Sequence, residues 1–279
     1  MRIDGVVVLY NPEDAVLNNI LRYSSLLDCL FVVDNSTKPN EELNKKLETM
    51  DRVKLISLGD NLGIAKALKV GLEAAINDKA DYCLTMDQDS IFPSEDYDKI
   101  KKYLSDYKGQ YAIINLNYQE LGTNEGEQFE GIRDVHHWIT SGGFIYIEDY
   151  KLVHGFKEEL FIDLVDFDLC QQFFAIGKKM GVIGEIYLKH KIGNAVRARF
   201  LWKHPIVDNH ALVRYYYMYR NLTYLYKRDK VFYKPIKYEY DRQWLNQMFC
   251  SKERWKRLRM KRRGIKDAKK GILGPYKGK

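Results

Sequence analysis

The chain has 279 residues, 45 Lys and Arg against 38 Asp and Glu for a formal charge of +7, and 46% hydrophobic residues. That length can bury a substantial core as one large domain with an appendage. No stretch reaches the roughly 20 apolar residues that cross a bilayer, and Cys29, Cys83, Cys170 and Cys250 lack the spacing of a thiol-metal site or a disulfide framework. The first predicted strand, Gly5-Val6-Val7-Val8-Leu9, begins at once, without a signal-peptide pattern, so a cytoplasmic location is expected. It closes in the turn Tyr10-Asn11-Pro12. The second strand, Leu30-Phe31-Val32-Val33, ends in Asp34-Asn35-Ser36, and the third is Val53–Ser57. Continuous apolar runs without alternation mark strands covered on both faces of a mainly parallel sheet. A helix starts near Asn61, where Leu62, Ala65, Leu68, Leu72, Ala75 and Ile76 recur at spacings of three and four.

The fourth strand, Tyr82-Cys83-Leu84-Thr85-Met86, runs into Asp87-Gln88-Asp89. Alternation along a strand aims residues i and i+2 the same way, and two such carboxylates suit a divalent cation that carries a diphosphate. Solvated turn residues are the plain alternative. Ligands of open α/β sheets bind beyond the carboxyl ends of the strands, which gathers Tyr10, Asn11, Asp34, Asn61 and the two aspartates along one edge. Farther on, Thr140-Ser141-Gly142-Gly143 precedes the strand Phe144-Ile145-Tyr146-Ile147, and the adjacent His136 and His137 are too weak a signal for a metal site. Asp163 and Asp166, three apart, share a face if the segment is helical, while Asp168 points elsewhere. A strand at Val182-Ile183-Gly184-Glu185-Ile186-Tyr187-Leu188 leads to His190. The segment Arg214-Tyr215-Tyr216-Tyr217-Met218-Tyr219-Arg220-Asn221 reads as an aromatic and basic helix, with Arg214 and Arg220 suited to a diphosphate.

From Lys252 to Lys279 there are 13 Lys or Arg against Glu253 and Asp267, a net of +11, so residues 1–251 sum to −4. With Trp255, Leu258 and Met260 among the cations, this block suits an anionic membrane surface; a solvated tail is the alternative. The acidic body offers no basic groove for nucleic acid.

The motifs Val8-Leu9-Tyr10-Asn11-Pro12, Val32-Val33-Asp34-Asn35-Ser36, Gly59-Asp60-Asn61-Leu62-Gly63-Ile64-Ala65-Lys66-Ala67, Met86-Asp87-Gln88-Asp89-Ser90, Ser141-Gly142-Gly143, Phe161-Ile162-Asp163-Leu164-Val165-Asp166-Phe167-Asp168-Leu169-Cys170 and His190 occur in that order. As an ordered set over roughly residues 3 to 225 they resemble an inverting family 2 glycosyltransferase of the GT-A fold, in its bacterial rhamnosyltransferase-like branch. The resemblance implies an α/β fold with a Rossmann-like, mainly parallel sheet flanked by helices. It implies a catalytic domain over residues 1–225, with a nucleotide half at 1–110 and an acceptor half at 111–225, followed by a helical basic appendage at 226–279. Tyr10, Asn11, Asp34, Asn61, Gly63, Lys66 and Asp87 are then nucleotide contacts, Asp34 accepting from the imide N–H of uracil or thymine. Asp87, Asp89 and His190 surround Mn²⁺ or Mg²⁺. Trp138, Ser141, Gly142, Gly143 and Arg214 face the acceptor.

Asp166 falls where the family carries its general base, although Val165 replaces the acid that normally precedes it. The expected reaction moves L-rhamnose from dTDP-rhamnose onto a lipid-linked saccharide, on the inner face of the plasma membrane, in cell-surface polysaccharide synthesis. A UDP-sugar enzyme of the same family (galactofuranosyl, galactosyl or N-acetylglucosaminyl) and a noncatalytic nucleotide-sugar-binding subunit are the alternatives. A nucleotidyltransferase is disfavoured, because Leu9-Tyr10-Asn11-Pro12-Glu13-Asp14 is neither glycine-rich nor basic. A homo-oligomer is left open.

Overall fold

The computed structural model describes residues 1–120, 128–190, 196–197, 206–207, 210–250 and 253–278, with side chains excepted at 120, 190, 196–197, 206–207, 246–247 and 249–250. The chain divides into two compact units, Met1–Glu158 with Asp166–Lys191, and Glu159–Val165 with Ile192–Lys279.

The first unit is built on eight strands: β1 (Ile3–Leu9), β2 (Cys29–Asp34), β3 (Val53–Ser57), β4 (Tyr82–Asp87), β5 (Tyr111–Glu120), β6 (Ile132–Val135), β7 (Gly143–Tyr146) and β8 (Lys179–His190). Their order is β3-β2-β1-β4-β7-β5-β8-β6. Helices α1 (Val16–Leu21), α2 (Glu41–Glu48), α3 (Ile64–Asn77), α4 (Tyr97–Asp106), α5 (Ile147–Tyr150) and α6 (Val165–Ala175) are interleaved with the strands. β1 and β2 bury every position, as uninterrupted apolar runs predict. β3 buries only Val53, because it closes one edge of the sheet and has a neighbour on one side alone.

β1 lies between β2 and β4, parallel to both, in a register that sets Leu9 beside Asp34 and Val8 beside Asp87. Three strand ends carrying Tyr10, Asp34 and Asp87 are therefore neighbours. β7 runs antiparallel to β4 and β5, so the turn before β7 meets the carboxyl end of β4. The β5–β8 pairing slips between Leu116, opposite Ile183, and Asn117, opposite Tyr187. The buried amides of Asn115 and Asn117 satisfy carbonyls freed near the slip, donating to Gly181 O and Gly184 O at 3.0 Å each.

In the second unit, β9 (Val196–Arg197) and β10 (Ile206–Val207) pair antiparallel, and α7 (Leu212–Arg228), α8 (Lys230–Cys250) and α9 (Arg254–Lys269) follow. Among the described residues no helix is long and apolar enough to cross a membrane. α7 buries Tyr215, Tyr216, Tyr217, Tyr219, Arg220 and Asn221. α9 approaches it at Gly264, where an added Cβ would stand 2.4 Å from Tyr216 O. Part of the basic block is consumed in this packing: Arg257 sits over Tyr215 at 4.9 Å, Lys261 over Tyr219 and Trp244 at 4.0 and 4.3 Å, and Arg263 over Tyr276 at 4.8 Å. Burial pushes the Lys261 ammonium down to about 8, against the pull of Asp241.

Candidate functional site

The end of β1 is knitted to its neighbours by amides and hydroxyls. Tyr10 N donates to Gln88 Oε1 at 2.8 Å, and Gln88 Nε2 returns a bond to Tyr10 O at 3.3 Å. Asn11, held at φ 44°, donates from its backbone to Ser36 Oγ at 2.8 Å and accepts at Oδ1 from Lys38 N at 3.0 Å. The Tyr10 ring stays 46% exposed, available to border a base. Asp34 is buried. Its Oδ1 accepts from Ser36 N at 3.1 Å, the Asx-turn bond, and its Oδ2 accepts from Asn44 Nδ2 on α2 at 3.0 Å.

Asn35, which the sequence reading left without a role, ties β2 to the loop before α3. Its amide donates to Asn61 Oδ1 at 3.2 Å and its Oδ1 accepts from Leu62 N at 2.8 Å. Asn61 Oδ1 also accepts from Gly63 N at 3.0 Å, an Asx-turn bond just before α3, whose N-cap Gly63 carries no side-chain cap. Lys66 reaches Glu158 at 3.2 Å, joined there by Lys69 at 3.0 Å. Burial works against the Glu158 carboxylate, but the two ammonium groups outweigh it and hold it below the usual range.

Asp87 closes β4, whereas Asp89 lies exposed in the turn that follows, so strand alternation does not govern the pair. The turn is fixed from behind. Ser141 Oγ accepts from Asp87 N at 3.1 Å and donates to Ser90 Oγ at 2.8 Å, with both serines buried. Ser141, expected at the acceptor, thus supports the aspartate turn. Gly142 takes φ 77° and Gly143 N donates to Thr140 O at 3.0 Å, so the glycines build a tight turn. A Cβ at Gly143 would fall 2.9 Å from Asn115 Oδ1. Among the described residues no group of three His, Cys, Asp or Glu forms a metal cage. Two carboxylates suit a hard cation that completes its shell with water and phosphate oxygens. The side chain of His190 lies outside the described residues.

On the other side of that turn, Thr85 Oγ1 donates to Thr140 O at 2.6 Å. Thr140, Gly143, Trp138, Cys170 and Asp166 line a small pocket together with Thr85, Ile113 and Asn115. Trp138 Nε1 donates to Leu116 O at 3.2 Å, and its ring meets Tyr118 at 5.6 Å. Asp166 stands in the first turn of α6, half-buried, its Oδ1 accepting from Phe167 N at 2.9 Å. Burial raises the Cys170 thiol to about 12, so it is no nucleophile at neutral pH. Burial, reinforced by His136, drives His137 down to about 4, a neutral ring packed on Phe167 at 4.5 Å.

Of the other two acids, Asp163 differs from the helical reading, while Asp168 lies in α6 two residues after Asp166. Asp163 precedes α6, at φ 68°, and therefore shares no helix face with Asp166. Its Oδ1 accepts from Arg214 Nη2 at 2.8 Å, which commits the guanidinium expected at the acceptor. Asp168 is buried and accepts from Gln172 Nε2 at 3.0 Å. Arg220, read as suited to a diphosphate, is fully buried and donates to backbone carbonyls instead.

A paired-aspartate turn thus ends the parallel βα array and is joined through a serine to a pocket holding one further acid. Residues 6–179 match the family described as Glycosyl transferase family 2. The chain belongs to this family. It is 31% identical over 243 residues, 81% of its own length and 80% of the relative's, to the dTDP-rhamnosyl transferase RfbF of Shigella flexneri. Among solved structures, S. aureus TarS 1–349 superposes with a TM-score of 0.56 at 13% identity, covering 98% of this chain and 72% of that one. The same TarS segment in complex with UDP gives 0.57 at 14%, covering 96% and 71%. A further TarS structure gives 0.57 at 16%, with 69% of this chain but 37% of that chain covered. At these identities the likeness establishes the shared GT-A-like fold. The enzyme is a family 2 glycosyltransferase, and its mixed α/β sheet with C-terminal helices agrees with the architecture expected from the motifs.

Proposed function

We propose that this glycosyltransferase moves L-rhamnose from dTDP-rhamnose, with inversion, onto a lipid-linked saccharide at the cytoplasmic face of the membrane. The observation that carries the reading is the continuity from the aspartate turn, through Ser141 and Thr140, to the pocket that holds Asp166. The 31% identity to a dTDP-rhamnosyl transferase supports the donor.

In this reading Asp87 and Asp89 hold Mn²⁺ or Mg²⁺, which supplies Lewis acidity for the departing diphosphate when bound. Tyr10 borders the base, and the Asp34 turn with Asn61 and Gly63 shapes the nucleotide edge. Asp166 takes the proton from the acceptor hydroxyl, with Trp138 as the apolar wall beside it. On α9, Trp255, Arg259, Arg262, Lys266 and Lys269 are exposed and recur at spacings of four and three, one helix face. That face lies against anionic lipid.

A thermal-stabilisation panel tests the donor. With Mn²⁺ present, dTDP-rhamnose raises the melting temperature more than UDP-galactose, UDP-galactofuranose or UDP-N-acetylglucosamine, since a ligand of the native state alone stabilises it. A larger shift from any UDP-sugar contradicts the assignment.

A further inference from the structure

The residues just before α6 occupy an uncommon backbone conformation. Phe161, Asp163 and Leu164 have φ of 65°, 68° and 61°, the left-handed region that bulky side chains seldom enter. Three such residues in four persist only where their surroundings over-determine them. α7 supplies those surroundings. The fully buried Asn221 brings Nδ2 to Leu160 O, Ile162 O and Asp163 O at 3.0, 2.8 and 2.8 Å. The adjacent Arg220, also fully buried, donates from Nη2 to Leu160 O at 2.8 Å and Glu159 O at 3.2 Å, and from Nη1 to Gly274 O. Gly274 N returns to Glu159 O at 2.7 Å. Phe161 stacks on Tyr217 with centroids 5.0 Å apart and 15° between planes, and Arg214 holds Asp163.

All of these groups belong to the second unit, as does the loop Glu159–Val165 that they grip. The residue that follows the loop is Asp166. A helix advances about 100° per residue, so sliding α6 by one residue in register would swing that carboxylate through about 100°.

We propose that Arg220 and Asn221 are positioning residues, which hold the left-handed loop so that α6 begins at Val165 and presents Asp166 in its first turn. The inference rests on the reading of Asp166 as the base. The guanidinium is the right cation for the task, because its planar fork spreads donors over several carbonyls, which an ammonium on a flexible stem does not reproduce. Gly274 is by the same bonds part of the clamp.

The test compares Asn221→Ala, Arg220→Lys and Asp166→Asn, each as the full chain, with dTDP-rhamnose and Mn²⁺. dTDP release, with water as the attacking acceptor of the rhamnosyl group, gives kcat, and calorimetry gives the donor Kd. Asn221→Ala should lower kcat by about tenfold or more while Kd stays within about twofold, and Arg220→Lys should lie between it and the wild type. Should Asn221→Ala fail to fold, Asn221→Ser retains one donor and should show a smaller version of the same split. Retention of more than half of kcat in Asn221→Ala, or a matching fall in kcat and donor affinity, would overturn the clamp. Asp166→Asn separates the two readings: if it stays active while Asn221→Ala does not, the base assignment fails, and if it is inactive while Asn221→Ala is not, the clamp fails.

Discussion

Replacing Ser141 with Ala removes one oxygen from behind the aspartate turn, and the consequences can be worked from its two bonds. Ser141 Oγ accepts from Asp87 N at 3.1 Å and donates to Ser90 Oγ at 2.8 Å, with both hydroxyls shut away from water. Ser90 Oγ loses only a hydrogen that it accepted and keeps its own O–H to donate, so the main loss is the partner of the Asp87 N–H. An unmet buried donor costs about 1–3 kcal/mol, and with little cavity to add, the expected destabilisation is about 2 kcal/mol. For a unit of this size that lowers the melting temperature by about 4–8 °C. The turn gains freedom at the residue proposed to meet the cation, so donor affinity should fall by roughly 3- to 30-fold, in proportion to the lost share of the competent conformation. Urea unfolding measures the first quantity and calorimetric titration of dTDP-rhamnose with Mn²⁺ the second. Ser90→Ala is the control, since it leaves the Asp87 bond in place and should affect donor binding less. Stability within about 0.5 kcal/mol of wild type together with unchanged donor affinity would refute the reasoning, as would an equal binding loss in Ser90→Ala.

Asp4, wholly buried in β1, has its carboxyl pushed up from about 3.8 to about 7, chiefly by burial, with Arg2 at 3.2 Å opposing. A folded-state value above the unfolded one means that this group's contribution is complete below pH 4 and is lost as pH rises through 7. Asp4→Asn should therefore match wild type near pH 4 and exceed it at pH 8 by up to roughly 4 kcal/mol, less whatever the half-exposed Arg2 loses; urea unfolding with no gain at pH 8 contradicts this. Gly264→Ala drives a methyl group to within 2.4 Å of Tyr216 O and should destabilise the packing of α9 on α7 by about 1–3 kcal/mol, read as a lower melting temperature. An unchanged melting temperature would mean that the two helices separate without cost. Changing Arg259, Arg262 and Lys266 together to Gln should cut sedimentation with anionic vesicles by roughly a hundredfold in partition constant, at about 1 kcal/mol per cation, and raised salt should mimic it. Equal pelleting would move the contact surface elsewhere.

The strands that carry the site were legible because β1, β2 and β4 are buried on both faces and announce themselves as unbroken apolar runs, each ending in a polar turn. Strand order was less accessible: that the Thr140–Gly143 turn abuts Asp87 follows from β7 inserting antiparallel beside β4, a pairing that no local pattern encodes. For the same reason Ser90 went unread and Ser141 was expected at the acceptor rather than behind Asp87, since small polar residues have no periodicity. Asn44 left a trace, a polar residue within the buried face of α2 between Leu43 and Leu47, and it proves to hold Asp34. The helical reading of Asp163 failed because three left-handed residues in four break the segment, and they do so with contacts about 50 residues distant in sequence. The basic block read as a surface, yet Arg257, Lys261 and Arg263 pack on tyrosine and tryptophan rings, partnerships that an apolar stripe does not reveal.

The most direct measurement of the central claim is the turnover of Asp166→Asn with saturating dTDP-rhamnose and Mn²⁺, set beside its donor affinity. The amide is nearly isosteric and lies outside the proposed cation shell, so donor Kd should hold while transfer falls by at least about a hundredfold, the lower range for a general base. Asp163→Asn and Asp168→Asn should be milder, each disturbing a structural bond. A ranking in which either of those two abolishes transfer with donor binding intact, while Asp166→Asn retains most of its activity, would contradict the account.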